Sequence, residues 1–161
     1  MQDSDNPPGG PGDEAWPVVR LAEVDSTNTE AMRRAVAGAR GPLWIVADRQ
    51  RAGRGRAGRS WASEPGNLYA SLLLQPACPP ERAYQLSLLA GVAAIDALRA
   101  AYPSGIDGLR LKWPNDVLVG PAKLGGILVE STMLGGRLSA VVGIGLNLAS
   151  SPDGGDRPAT N

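Results

Sequence analysis

Five arginines, Arg49, Arg51, Arg54, Arg56 and Arg59, stand among Gly53, Gly55 and Gly58 in the stretch DRQRAGRGRAGRSW, Asp48 to Trp61. No acid interrupts the run between Asp48 and Glu64. Guanidinium forks bind carboxylate and phosphate bidentately, and glycines let backbone N–H groups come close to an anion. The composition of this stretch predicts a loop that clamps a polyanionic small molecule.

Two phosphate motifs share its letters. Gly53-x-Gly55-x-x-Gly58 matches the dinucleotide fingerprint, and Gly53 to Ser60 matches a P-loop with Arg59 in place of lysine. Both need a helix directly after the glycines to receive the phosphate. Here Trp61-Ala-Ser-Glu-Pro65-Gly66-Asn67 follows, which is turn chemistry, so both motifs are excluded. A flexible Arg/Gly segment coating RNA is the competing reading. Strand-like sequence on both sides argues instead for an ordered loop. The formal charge of zero, from 16 basic and 16 acidic residues, also lacks the positive excess of a nucleic-acid binder.

A second polar group, Ser26-Thr27-Asn28, stands where a strand gives way to a helix. It offers hydroxyls, an amide and free N–H groups at a helix start, and capping alone explains one or two of the three. The chain has no histidine, which removes His-based triads and His-ligated metal sites. The single cysteine, Cys78, lies between prolines and reads as an incidental thiol. No signal peptide and no apolar run of transmembrane length is visible, so a cytoplasmic protein without membrane partners is expected.

The elements that must position these residues follow in order. Met1–Ala15 is acidic and rich in Pro and Gly, and is expected to be disordered. Val18–Val24 reads as a strand. Thr27 with Glu30 forms a capping box opening a helix through Ala31, Ala35 and Ala39 to Gly41-Pro42. Leu43–Ala47 is a short buried strand delivering the arginine loop. Leu68, Ala70, Leu72 and Leu74 alternate with Tyr69, Ser71 and Gln75 at strand period. Pro79-Pro80-Glu81 opens a helix to about Ala101 with Leu86, Leu89, Ala90, Ala93, Ala94, Ala97 and Leu98 as its core face. Leu109–Trp113 and Val117–Val119 flank the turn Pro114-Asn115-Asp116, and Lys123–Leu134 and Arg137–Leu148 form a hairpin through Gly135-Gly136. The order β-α-β-β-α followed by four β segments predicts an α+β fold, a mixed or antiparallel sheet packed against helices.

Asp25-Ser-Thr-Asn28, Gln50 to Trp61, Lys112-Trp-Pro-Asn-Asp116 and Lys123-Leu-Gly-Gly126, with Val142-Gly-Ile-Gly-Leu-Asn147 behind them, resemble the catalytic domain of biotin–protein ligases, also called biotin–[acetyl-CoA-carboxylase] ligases. The resemblance covers roughly Val18 to Leu148 in the family's order. It implies a fold of the class II aminoacyl-tRNA synthetase and biotin ligase type. It also implies a two-step reaction: the biotin carboxylate attacks the α-phosphate of Mg-ATP, giving biotinyl-5′-AMP and pyrophosphate. A lysine of the biotin carboxyl carrier protein of acetyl-CoA carboxylase then takes the acyl group. Such chemistry needs positioning and charge neutralisation more than a protein nucleophile.

By the same resemblance, Ser26, Thr27, Asn28 and Gln50 orient the ureido end of biotin. Gly53, Arg54, Gly55 and Arg56 hold the carboxylate and phosphates, and Arg59 and Trp61 close over the adenylate. Lys123 is the catalytic cation between carboxylate and α-phosphate, with Arg54 beside it. Lys112 and Asn115 line the nucleotide side. Asp116 steers Mg²⁺ or braces its turn, Trp113-Pro114 is structural, and Gly125 and Gly126 mark either a ligand approach or a bulge. A homodimer is compatible with the family.

Three departures shape the expectations. Too few residues precede the catalytic region for a DNA-binding winged helix. The family's catalytic domain continues past the end of this chain, so residues 16–148 correspond to an incomplete domain and 149–161 to a loop or tail. The strand Val141–Leu148 is expected to miss a neighbour, and biotin binding to outlast catalytic power. The alternatives are a lipoate–protein ligase-like adenylating enzyme and a non-catalytic biotin-binding module.

Overall fold

The computed structural model describes residues 16–152 and 159–160; the tail 1–15 lies outside the described residues. Seven strands form one sheet: β1 (Val18–Val24), β2 (Leu43–Gln50), β3 (Leu68–Leu74), β4 (Leu109–Lys112), β5 (Asp116–Val119), β6 (Ala122–Leu134) and β7 (Arg137–Leu146). Helix α1 (Thr27–Val36) follows β1, and α2 (Gln85–Ala101) follows β3. The spatial order is β1-β2-β3-β7-β6-β5-β4. Only β1 and β2 run parallel, joined through α1, and the other pairs are antiparallel. The sheet is mixed, as the element order predicts.

The two helices cover opposite faces. Ala31 and Ala35 of α1 pack with Ile45, Leu73 and Val141. Leu86 and Ala90 of α2 pack with Leu72, Ile127 and Val142, and Ala94, Ile95 and Leu98 with Val117, Leu124 and Leu146. Successive strand residues point to opposite faces. Hence β3 sends Tyr69, Ser71 and Leu73 to the α1 side, and Ala70, Leu72 and Leu74 to the α2 side. That is why the alternating sequence of β3 is buried on both faces rather than one.

Several expectations change. β7 does not lack a neighbour: it lies between β3 and β6, and Val141, Val142 and Leu146 are buried. The core face of α2 is Gly91, Ala94, Ile95 and Leu98, while Leu89, Ala93 and Ala97 face outward. Gly91 lets the helix approach Leu111, whose methyls would stand 2.7 Å from an added Cβ. α2 starts at Gln85, after a 3₁₀ turn over Pro80–Arg82, because proline at the expected start favours only the first turn of a helix. β2 extends to Gln50 because its last residues pair with Glu23 and Val24 of β1. The Gly135-Gly136 hairpin is as expected, both residues at positive φ (55° and 75°) as a type I′ turn requires. Where it is described, the stretch 149–161 is a loop tied to the rest of the chain. Asn67 Oδ1 accepts the N–H groups of Leu148, Ala149 and Ser150, and Ala159 bridges to Lys123. Among the described residues no helix is long and apolar enough to cross a membrane.

Candidate functional site

The N-terminus of α1, the end of β2 and the arginine loop meet on the α1 side of the sheet around a cavity of about 690 Å³. Its floor comes from β6 and β7, including Gly126, Leu128, Gly143 and Gly145. Glycine at 143 and 145, two residues apart on one face of β7, is a spatial requirement. An added Cβ at Gly143 would overlap Asn28 Oδ1 and stand 2.9 Å from its Cγ. At Gly145 it would stand 2.8 Å from Trp61 Nε1.

The expected capping box is absent. Ser26 occupies the cap position of α1 with no side-chain cap bond, and its N–H donates to Asp25 Oδ1 at 2.8 Å. The Thr27 N–H donates to Gln50 Oε1 at 2.8 Å, and Glu30 pairs with Arg33 and Arg34. Burial raises the Asp25 pKa, but the Ser26 N–H and the Arg33 guanidinium outweigh it and hold the carboxyl below its ordinary value. The side chains of Thr27 and Asn28 are thus released from capping for another use.

That use is a buried network. The Ser71 hydroxyl lies 2.6 Å from Asn28 Oδ1 and 2.8 Å from Thr27 Oγ1. The Thr27 hydroxyl lies 3.1 Å from Gln50 Oε1, and Gln50 Nε2 donates to Ser63 Oγ at 3.0 Å. Three contacts among hydroxyl and amide oxygens share the two hydroxyl protons of Ser71 and Thr27, so the network has a surplus of acceptor positions. It suits a ligand that brings N–H donors.

Twelve of the thirteen expected site residues line the cavity: Ser26, Thr27, Asn28, Gln50, Arg54, Gly55, Arg56, Arg59, Trp61, Lys112, Asn115 and Lys123. Gly53 does not. It is buried under the loop, where an added Cβ would meet Trp61 O at 2.5 Å and Ser63 Oγ at 2.6 Å. The loop is ordered by its own backbone: Gly55 N–H donates to Arg59 O and Trp61 N–H to Gly53 O, with a bridge between Arg54 and Ser60. Its only helical turn is three residues long, Arg56–Gly58, so no phosphate-binding helix follows the glycines.

Three of the five cations lining the cavity, Arg54, Arg56 and Lys123, have partners among the described residues. Arg54 Nη2 donates to Glu130 Oε2 at 3.0 Å, and Arg56 Nη1 to Asn115 Oδ1 at 3.2 Å across the cavity mouth. Lys123 Nζ lies 2.8 Å from Asp116 Oδ1 and 5.3 Å from the centroid of the Trp61 ring, within cation–π range. A bulge produces this geometry. Val117 pairs with Gly125 and Leu118 with Lys123, which leaves Leu124 as the extra residue of β6. Leu124 enters the core, while Lys123 and Gly126 share the cavity side, three residues apart. The Trp61 indole rests over Gly126 and Gly145, and its buried Nε1 has no hydrogen-bond partner among the described residues. Asp116 and Trp113 also line the cavity, as do Tyr69, Gly143, Gly145 and Asn147.

Sequence reasoning missed Ser71, Glu130 and the β7 glycines as site residues. A serine inside the apolar run of β3, the one acid of β6, and glycines at strand period in VVGIG were the available signals.

Residues 21–147 match the biotin/lipoate A/B protein ligase family. The chain belongs to that family. A biotin–[acetyl-CoA-carboxylase] ligase of Paracoccus denitrificans is 47% identical over 136 residues, 84% of this chain and 56% of the relative. The biotin protein ligase of Leishmania major, solved in complex with biotinyl-5-AMP, superposes with a TM-score of 0.74 at 34% identity, covering 89% of this chain and 62% of that one. The biotin protein ligase of Aquifex aeolicus, in complex with biotin and ATP, gives a TM-score of 0.71 at 36% identity, covering 89% and 58%. The mixed sheet and two helices are thus the catalytic-domain fold of this ligase family. The chain spans a little over half the length of these relatives.

Proposed function

We propose that this chain activates biotin with ATP to biotinyl-5′-AMP and passes the biotinyl group to a lysine of the biotin carboxyl carrier protein of acetyl-CoA carboxylase. The observation that carries this reading is the division of one cavity into a neutral, acceptor-rich part and a cationic part. Thr27, Asn28 and Gln50, with the buried Ser71 behind them, take the ureido ring. Arg54, Arg56, Arg59, Lys112 and Lys123 take the carboxylate and phosphates. Asn28 touches the floor at Gly143 and Trp61 touches it at Gly145, about 7 Å apart along β7. That is the reach of biotin's valeryl chain.

In the first step a biotin carboxylate oxygen bonds to the α-phosphorus and pyrophosphate leaves. Lys123 and Arg54 neutralise the approaching anions, so a positive site replaces their mutual repulsion. In the second, the carrier amine attacks the acyl carbon and AMP leaves. A Mg²⁺ bound to the ATP phosphates would supply further charge neutralisation at this end of the cavity. Asp116, the one acid among the described residues lining the cavity, pairs with Lys123 and would hold the metal by exchanging that partner.

A lipoyl-type substrate is the second reading from the same family. The polar network disfavours it, because a dithiolane brings no donors and would leave buried acceptors unpaired. Calorimetric titration with biotin and with lipoate, with and without ATP, followed by a pyrophosphate-release assay, tests the assignment. Biotin binding strengthened by ATP and followed by pyrophosphate release is expected. Tighter lipoate binding, or salt-sensitive RNA binding without any biotin response, would overturn it.

A further inference from the structure

Behind the cavity wall stands an acid that the proposed reaction does not use. Glu130 sits on β6, and its Oε2 accepts two hydrogen bonds, from Asn28 Nδ2 at 2.8 Å and from Arg54 Nη2 at 3.0 Å. These donors belong to different parts of the site, one to the ring end and one to the anion clamp. Glu130 itself lines only the shallow depression on the outer side, with Thr29, Met32 and Val36.

The consequence for Asn28 follows from its amide. Its Nδ2 faces two acceptors, Glu130 Oε2 and Leu128 O at 3.3 Å. A flipped amide would set its oxygen against both, two repulsive contacts, one of them with a charge. Glu130 therefore fixes Oδ1 toward Ser71. The Ser71 hydroxyl must then donate to Oδ1 at 2.6 Å, and its lone pairs are left to face Thr27 Oγ1. The acceptor surplus at Thr27 and Gln50 is set by a carboxylate that the ligand does not touch.

We propose that Glu130 is a positioning residue for biotin. It fixes the donor and acceptor order of the ureido pocket through Asn28, and with the same oxygen it holds Arg54 at the cavity wall. This rests on the reading of the cavity as a biotin site and adds a residue to it. A carboxylate serves both donors better than an amide, because charge-assisted bonds are roughly twice as strong as neutral ones.

The test compares Glu130→Ala, Glu130→Gln, Asn28→Ala and the double variant Asn28→Ala/Glu130→Ala on the full chain, with biotin affinity measured by calorimetry. Glu23→Gln serves as a control, since Glu23 pairs with Arg49 and Arg51 but does not line the cavity. Glu130→Ala should weaken biotin about tenfold and Glu130→Gln about threefold, with Glu23→Gln unchanged. The double variant should lose less than the sum of the two single losses, because Glu130 acts in part through Asn28. A merely structural role predicts additive losses, and additivity would overturn the proposal. If Glu130→Ala does not fold, the near-isosteric Glu130→Gln decides: an unchanged biotin affinity overturns the assignment. A wild-type chain that binds no biotin overturns the functional reading and this one with it. Wild-type binding together with unaffected Glu130 variants overturns this one alone.

Discussion

Replacing Gly143 by alanine adds one methyl group at the point where Asn28 meets the sheet. The backbone at Gly143 is not in the left-handed region, so the substitution tests space alone. The new Cβ overlaps Asn28 Oδ1 and lies 2.9 Å from its Cγ, so the asparagine must turn away. Two good hydrogen bonds are then at risk, from Ser71 at 2.6 Å and to Glu130 at 2.8 Å. The first contributes about 1 kcal/mol and the charge-assisted second about 1.5–3 kcal/mol. Alanine restores about 0.4–1 kcal/mol by restricting the unfolded chain. The net expectation is a loss of about 1.5–3.5 kcal/mol, read as a lower urea midpoint at unchanged slope. Gly126→Ala is the matched control: its Cβ would meet Trp61 Cζ3 at 3.4 Å and Lys123 Nζ at 3.5 Å, ordinary contacts. That variant should stay within about 0.5 kcal/mol of wild type. Calorimetry should show biotin binding weakened at least tenfold in Gly143→Ala, since the ring pocket loses its oriented amide. Equal stability of the two variants, or wild-type biotin affinity in Gly143→Ala, would refute the placement of Asn28 on this floor.

Arg54→Ala should weaken adenylate binding by roughly ten- to a hundredfold, the loss of one charge-assisted contact, while Arg40→Ala at an exposed position outside the cavity leaves it unchanged; indistinguishable affinities would remove Arg54 from the clamp. Biotin with ATP should protect the Arg49–Trp61 loop from proteolysis as bound anions engage its arginines, and equal digestion rates would count against the clamp. Asp25 has a folded pKa below its ordinary 3.8, so its contribution to stability is present above 3.8 and fades as pH falls through the lower folded value. Asp25→Asn should therefore destabilise the chain at neutral pH but not in strong acid, where a persistent gap between the denaturation midpoints would contradict the assignment. Lys123→Met should suppress pyrophosphate release far more than biotin affinity; equal losses in both would assign Lys123 to binding alone.

The local chemistry was legible without coordinates. The arginine–glycine stretch, the absence of a helix after it, the Gly-Gly hairpin and the order of strands and helices each follow from rules acting within a few residues, and the fold bears them out. Boundaries were less legible where a distant partner decides them: β2 runs on to Gln50 because β1 offers it further pairs, and α2 turns its Gly91 face inward because Leu111 waits there. The capping box failed for the same reason. Thr27 has a better partner in Gln50, 23 residues away, and Glu30 has two arginines beside it. Nor does anything in the sequence state that β7 slots between β3 and β6, which is what buries it and places Gly143 and Gly145 under Asn28 and Trp61. Composition determined that this chain would carry a cluster of arginines among glycines and a polar helix start. Only the long-range pairing of strands decided that both open onto one cavity, with Ser71 and Glu130 behind them, because hydrogen-bond partners 43 and 102 residues apart are brought together by the sheet and not by sequence proximity.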